Sequence, residues 1–364
     1  MKFASIESEY LVALLKCALK SESAPDIPVG LNWNELVNLS KKQQVYSTIA
    51  PIINKINIPP EQAQELIFYS QNELVRMIAM KNELEQIEKE LNEKEIEYML
   101  VKGSVLRNYY PKQKMRQMSD IDILYKAERQ DELITYMKKR GYRLKTSEAN
   151  SDDFFKPPFY TFEFHRSIFD ERDAFSPDFN LWERASKDEN NLSEYHISAE
   201  DLMIYSLCHM YDHYCQSGCG IRFVCDIYVL LKSKEDFDWN YINSKFEEFG
   251  FADFCNTAIT LAKALFKNES AGKSEQALLD YILSGGVYGK SRSLDEVISN
   301  DFNGSKFRYL LSRAFPSKKM MKGNFPVLRK YPILLPIYYF VRIFQVIKYN
   351  KKSVQKEIKS LKKH

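Results

Sequence analysis

The stretch Tyr98-Met99-Leu100-Val101-Lys102-Gly103-Ser104, with Ser119-Asp120-Ile121-Asp122-Ile123-Leu124-Tyr125-Lys126 a short way on, decides the fold of this 364-residue chain. The four apolar residues from Tyr98 predict a short buried strand, and Gly103-Ser104 predicts a tight turn from it into a helix through Tyr110. Backbone N–H groups at the start of a helix are free to meet an anion, so the turn is expected to seat phosphate. In the second run Asp120 and Asp122 alternate with Ile121 and Ile123. The two-residue period of a strand then puts both carboxylates on one face and most of the aliphatics on the other. Two carboxylates converging at a strand end suit Mg2+, with Mn2+ as the alternative, because a hard cation takes oxygen ligands and substrate phosphates together. The competing reading is a solvated strand edge carrying two incidental acids.

Working outward, Glu128 to Lys139 has the pattern of an amphipathic helix closed by Gly141, and Tyr142-Arg143-Leu144 reads as a strand. Phe159-Tyr160-Thr161-Phe162-Glu163-Phe164-His165 is aromatic and β-branched and predicts another, with Glu163 and His165 on one face. Upstream, helical spacing is expected over residues 7–20, from Trp33 through Ile53, and from Pro60 to about Glu95. From Trp182 onward the chain reads as mostly helical. Ala199 to Tyr214 carries His209 and His213, and Gly218 to Gly220 leads into Ile221-Arg222-Phe223-Val224-Cys225-Asp226. Two histidines at i and i+4 share a helix face and with Asp226 have the makings of a metal site, but the Glu of a His-Glu-x-x-His helix is missing. The alternatives are that both histidines and Arg222 line a cleft between the helical region and the sheet, or that they are satisfied in helix packing. Phe251 to Phe266 predicts a further helix, and Gly285, Gly286 and Gly289 a mobile link.

Gly103-Ser104 followed 17 residues on by Asp-Ile-Asp-Ile resembles the signature of the DNA polymerase β-like nucleotidyltransferase superfamily, hydrophobic-Gly-[Gly/Ser] and then Asp-hydrophobic-[Asp/Glu]-hydrophobic. Lys102-Gly103, Tyr110-Pro111, Arg116 and Asp120-Ile121-Asp122 together resemble the bacterial uncharacterised nucleotidyltransferase family, in which a Trp followed by a helix, as at Trp33, commonly precedes the core. The resemblance implies an α/β protein: a small mixed-sheet polymerase β-like core with helical N- and C-terminal regions. It implies Mg2+-dependent transfer of an NMP from an NTP to a hydroxyl. Asp120 and Asp122 would be catalytic metal ligands, with Glu163 as the third carboxylate by its order and its Glu-x-His context. Lys102, Gly103, Ser104 and Arg116 would bind nucleotide, although surface ion pairs are an equal reading of Lys102 and Arg116. His165, His209, His213 and Arg222 are cleft candidates. Members of the family are frequently associated with surface-polysaccharide genes, which favours a sugar or glycan-related small molecule as acceptor; a tRNA end or a protein side chain stays open.

The implied segments are a helical region 1–84, the catalytic core 85–175, a helical domain 176–317 and a basic aromatic tail 318–364. Lys+Arg of 52 against Asp+Glu of 49 leaves +3, which gives no reason to expect nonspecific nucleic-acid binding by the whole surface. The tail is different: from Lys318 onward it has 13 Lys/Arg and one acid, Glu357. Packing over the core is the first reading of this tail, and an anionic membrane surface the second; its apolar run Tyr331–Ile347 contains Pro332 and Pro336 and is short of the roughly 20 residues a spanning helix needs. Six scattered cysteines and a mixed polar N-terminus suggest reduced thiols and a cytoplasmic protein, peripheral to the membrane if the tail binds lipid. Two other function classes compete: a noncatalytic nucleotide-binding or scaffold protein held by the tail, and a toxin-like nucleotidyltransferase acting on tRNA.

Overall fold

The structure is a computed structural model, and it describes residues 1–126, 129–147, 150–168, 179–216, 218–234, 236–286, 305–306, 315, 321 and 327–341. The chain divides into two compact units, Met1–Ile168 with Asn180–Lys290, and Phe169–Phe179 with Ser291–His364.

The first unit begins with α1 (Ile6–Lys20), α2 (Trp33–Lys42), α3 (Tyr46–Ile53) and α4 (Pro60–Glu93). Local chemistry sets their starts: Ser5 and Asn32 cap α1 and α2 through their side chains, and Pro60 opens α4, where a missing N–H costs nothing. The helix expected from Trp33 through Ile53 is broken, because Gln44 takes a positive φ of 52° and turns the chain between α2 and α3. Then come β1 (Tyr98–Val101), α5 (Gly103–Leu106), β2 (Ile121–Tyr125), α6 (Gln130–Lys139), β3 (Arg143–Ser147), β4 (Ser151–Lys156) and β5 (Tyr160–His165). The helix expected through Tyr110 is a single α turn continued by a 3-10 turn, Arg107–Tyr109. Glu128, where α6 was expected to start, lies outside the described residues. Two short strands, β6 (Ser186–Lys187) and β7 (Glu194–His196), precede α7 (Ala199–Gln216), α8 (Ile221–Ser233), α9 (Trp239–Phe249), α10 (Ala252–Lys267) and α11 (Lys273–Gly285).

The strands form one mixed sheet in the order β3-β4-β5-β2-β1-β7-β6, so the α/β architecture with helical regions on both sides is as the sequence implies. Alternation along the central strands sorts the residues. Ile121, Ile123 and Tyr125 of β2 and Phe162 and Phe164 of β5 are buried with Leu84, Ile87 and Leu91 of α4 and Leu133 and Met137 of α6. Each such side chain contributes about 1.5–3 kcal/mol by leaving water. A one-residue slip would exchange the faces, so this burial fixes the register and sends Asp122, Glu163 and His165 to the opposite side. Of the glycines expected to mark a mobile link, Gly285 ends α11, and a Cβ on Gly286 would meet the carbonyl oxygen of Lys42 at 2.8 Å. Gly289 lies outside the described residues.

In the second unit α12 (Val327–Lys330) is followed by a 3-10 turn, Pro332–Leu334, and helical residues 335–341. Met321 and Leu328 are buried. The rest of the basic tail, Lys348, Lys351 and Lys352 included, lies outside the described residues.

One half-buried acid makes stability depend on pH away from the cleft. Burial, then the charges of Glu194 and Glu85, push Glu88 up from 4.5 to about 7. A raised carboxylate favours the fold while protonated, so its contribution is complete below about pH 4.5 and is lost as the pH climbs through 7. Glu88→Gln should therefore stabilise the protein at pH 8 by about 1–2 kcal/mol, after allowance for partial exposure, and do little at pH 4.5. Thermal unfolding of both proteins at the two pH values reads this directly; an equal Tm difference at both would refute it.

Candidate active site

The site starts from strand register. Asp122 stands opposite Glu163 on the parallel pair β2–β5 and opposite Val101 on the antiparallel pair β1–β2. Paired residues project on the same side, so Asp122 and Glu163 are neighbours, with His165 two residues further along β5. Their ligand atoms and that of His165 lie within 4.8 Å of one another. Asp120 is on the same face but precedes the first paired residue, Ile121; its carboxylate accepts a hydrogen bond from Ser119 Oγ at 3.0 Å and stands apart from this cluster. Among the described residues Asp122, Glu163 and His165 are the tight group of possible ligand atoms, and Asp120, the third expected carboxylate, lines the cleft beside Asp122 and Glu163.

Lys102 closes β1. Its Nζ donates to Asp122 Oδ1 at 2.6 Å, and His165 Nε2 meets the same oxygen at 2.9 Å. The backbone of Lys102 has φ 51° and ψ −125°, a region that side chains disfavour, so the turn holds strain at the place where the lysine must reach Asp122. Burial opposes the charge on both members of this pair. Attraction overcomes it, and Lys102 rises well above its usual range while Asp122 falls below its own, held by Lys102 and His165. The other two acids go the opposite way. Burial and the charge of Asp122 raise Asp120, and the same two causes push Glu163 up to about 8. Four oxygen-bearing or nitrogen-bearing groups sharing one face in this way have the donor chemistry for a divalent cation: carboxylates for a hard ion, and an imidazole that also suits a transition ion.

The acids open onto a cleft of about 940 Å³, its mouth included. One wall is Lys102, Gly103, Met118, Asp120, Asp122 and Glu163. The other comes from α7 and α8: Tyr205, Ser206, His209, His213, Arg222 and Phe223. Of the expected cleft residues, His209, His213 and Arg222 are on this lining, whereas His165 is buried behind Asp122. The histidines meet edge to face at 4.6 Å and both pack on Phe223. Burial, then Lys102, drives His209 well below its usual range; burial, then Arg222, lowers His213 to about 4. Both rings are therefore neutral at neutral pH.

Arg116 and Ser104 are both buried. Arg116 is buried, and its guanidinium grips Asp226 of α8 with Nε at 2.8 Å and Nη2 at 2.9 Å, while Tyr110 donates its hydroxyl to Asp226 Oδ1 at 2.7 Å. The ion pair of Arg116 is thus buried and not on the surface, the arginine stays on the cleft lining, and Asp226 is committed to it and not to the two histidines. Ser104 is buried, its Oγ has no hydrogen-bond partner among the described residues, and it is not on the cleft lining. The N–H groups of Val105 and Leu106 turn back to the Lys102 carbonyl, so the one-turn α5 offers less to a phosphate than a full helix would.

The helical N-terminal region buttresses the cleft. Thr48 Oγ1 donates to the Met115 carbonyl at 2.7 Å, Ser47 N donates to Gln117 Oε1 at 3.2 Å, and Met118 N donates to Glu73 Oε1 at 3.1 Å. Gln44, at its positive-φ corner, accepts from Arg222 at 2.5 Å, and Gln43 caps the start of α8 by accepting from Ile221 N at 2.7 Å. Tyr205, Ser206, Phe223 and Met118 went unnoticed in the sequence. Tyr205 alone carried a signal, standing one helical turn before His209.

Gly103 is indispensable for a steric reason. A Cβ there would lie 2.5 Å from Arg116 Nη1 and 3.0 Å from Met118 Sδ. Because Asp226 pins the guanidinium, Gly103→Ala should cost about 1–3 kcal/mol as overpacking. Differential scanning calorimetry tests this, and an unchanged Tm would show the contact to be slack.

A profile of the family described as uncharacterised nucleotidyltransferase matches residues 30–267. Among solved structures, the solution structure of the antibiotic-resistance factor ANT(2'')-Ia aligns over 57% of this chain and 96% of its own at 13% identity, with a TM-score of 0.28, a likeness too slight to argue from. No curated protein matches at a significant level. The matched span runs from just before α2 to the end of α10 and contains every residue of both cleft walls, and on that match the chain belongs to the uncharacterised nucleotidyltransferase family.

Proposed function

We propose that the cleft transfers an NMP from an NTP to a hydroxyl of a small-molecule acceptor, such as a sugar or glycan precursor, with Asp120, Asp122 and Glu163 holding Mg2+ or, alternatively, Mn2+. The observation that carries this reading is the register that sets Asp122 beside Glu163, with Asp120 two residues earlier on the same face of the cleft. A bound divalent cation supplies charge neutralisation on the phosphates and in the transition state. The protein's own groups do the rest. His165 holds Asp122 in orientation from behind, as outer partners of ligating groups do. Lys102, at the cleft wall, offers its ammonium to a phosphate. The acceptor oxygen bonds to the α-phosphorus, the bond to the β-phosphate oxygen breaks, and pyrophosphate leaves; Glu163 is our candidate to take the acceptor's proton. His209, His213 and Arg222 form the facing wall, where two neutral imidazoles and a guanidinium offer hydrogen bonds to a polar acceptor. In this scheme residues 85–175 are the catalytic core.

Titration calorimetry with each of the four NTPs, in Mg2+ and in Mn2+, tests the reading. One NTP should bind only with metal, and Asp122→Asn and Glu163→Gln should each weaken that binding about tenfold or more. Folded wild-type protein that binds no NTP with either ion would overturn it.

A separate observation favours attachment to a membrane surface. Ile333, Ile337 and Phe340 are 87%, 59% and 70% exposed at i, i+4 and i+7, in a tail with 13 Lys/Arg to one acid. Apolar side chains beside excess positive charge suit an anionic lipid surface. No helix among the described residues is long and apolar enough to cross a membrane. The protein should float with phosphatidylserine-containing vesicles at low salt but not with purely phosphatidylcholine ones, and Ile333→Ser with Phe340→Ser should abolish flotation. Equal behaviour with both vesicle types would remove this reading.

A further inference from the structure

The two walls of the cleft differ in charge. Asp120, Asp122 and Glu163 share one of them. The lining residues that α7 and α8 supply to the other include one cation, Arg222, and one acid, Asp226, and Asp226 is committed to Arg116. Arg222 is half-buried at the head of α8. Neutral groups hold it: Nη1 donates to Gln44 Oε1 at 2.5 Å and to the Gln117 carbonyl at 3.4 Å, and the guanidinium carbon lies 5.8 Å from the centre of the Phe223 ring. Gln44 and Gln117 stand off the cleft lining, so they orient the guanidinium without occupying the cleft. Its charge reaches across that space. After burial it is the largest influence lowering His213, and it is among the charges that hold down Asp120 against burial and Asp122.

We infer that the α7–α8 wall is an oxyanion subsite, in which Arg222 binds a carboxylate or phosphoryl group of the ligand and His209 and His213 flank it as hydrogen-bond partners. A guanidinium fork matches either group, and one oriented beforehand by Gln44 and Gln117 gives up less freedom on binding than a mobile lysine would. A neutral imidazole keeps one N–H to donate. The acid wall repels the same anion unless a cation stands between them, so an oxyanion that no metal bridges belongs on the side of Arg222. It has two sources. The acceptor is the favoured one, and is then an acidic sugar or a sugar phosphate and not a neutral sugar, because a cation on the acid wall draws the donor's phosphates to that side. The other source is the terminal phosphates of the donor nucleotide. The choice between them rests on the transferase reading of the cleft; binding of an oxyanion at Arg222 does not.

The test is titration calorimetry of the full chain with inorganic phosphate, in buffer free of nucleotide and metal. Wild type should bind, and Arg222→Gln should weaken binding at least about tenfold. Should Arg222→Gln fail to fold, the pair His213→Gln and His213→Glu keeps the test decisive. The two new side chains have the same shape, and the carboxylate set against Arg222 should weaken phosphate binding at least about tenfold relative to the amide. Absence of phosphate binding by folded wild type overturns the inference, as does undiminished binding by Arg222→Gln or equal binding by the two His213 variants. With Mg2+ and NTP bound, phosphate that still binds assigns the subsite to the acceptor. Displacement of phosphate by NTP, with a loss of NTP but not NMP affinity in Arg222→Gln, assigns it to the donor. If no NTP binds at all, the transferase reading fails while the phosphate measurement still reports on this wall.

Discussion

The ion pair between Arg116 and Asp226, with Tyr110 as third member, joins two parts of the chain that the backbone brings together only through tertiary folding. Both side chains are almost wholly out of water, at 7% and 3% exposure. Such a pair returns little net stability against its hydrophobic alternative, yet removing one partner leaves a stranded charge at a cost of about 3–5 kcal/mol. Its consequence here is geometric. It holds α8, and with it Arg222 and Phe223, at a fixed separation from the turn that carries Lys102 and Gly103, and so sets the width of the cleft. Gly103 is small because the pinned guanidinium occupies the space a side chain would need.

A second constraint follows from charge. Asp120, Asp122 and Glu163 share one face of the cleft, and Lys102 pairs directly with Asp122 alone, so two of these carboxylates are raised and one is lowered. The unequal division has a physical cause: Asp122 sits between Lys102 and His165, whereas Asp120 and Glu163 feel chiefly burial and the Asp122 charge. A cation reaching this face would change the balance for all three at once, which is why metal binding and nucleotide binding are coupled in the proposed chemistry.

The N-terminal helices have no chemistry of their own, but they decide where the chemistry sits. Gln43, Gln44, Ser47 and Thr48 at the corner between α2 and α3 hold both the 113–118 segment and the start of α8. In the sequence this corner looks like the interior of one helix, since nothing in Lys41-Lys42-Gln43-Gln44-Val45 breaks the pattern. The positive φ of Gln44 is imposed by the contacts it makes, and local propensity could not foretell it.

What the sequence determined by itself was strand character, strand face and the acids on that face. Tyr98–Val101 announces itself as a short apolar run, and Ile121–Tyr125 and Tyr160–His165 through alternation, which alone puts Asp120 with Asp122 and Glu163 with His165. Tertiary structure decided the rest. Whether β5 lies beside β2, and in which register, depends on aromatic packing beneath the sheet, and that register brings His165 into the cluster and leaves Asp120 at its edge. Whether an arginine meets a ligand or a buried aspartate 110 residues away depends on a long-range contact with no sequence signal. Short β6 and β7 were illegible because two or three residues leave no period to read. The burial of Arg107 beside Arg116 is likewise a tertiary outcome, since a single cation on a short turn carries no pattern to read.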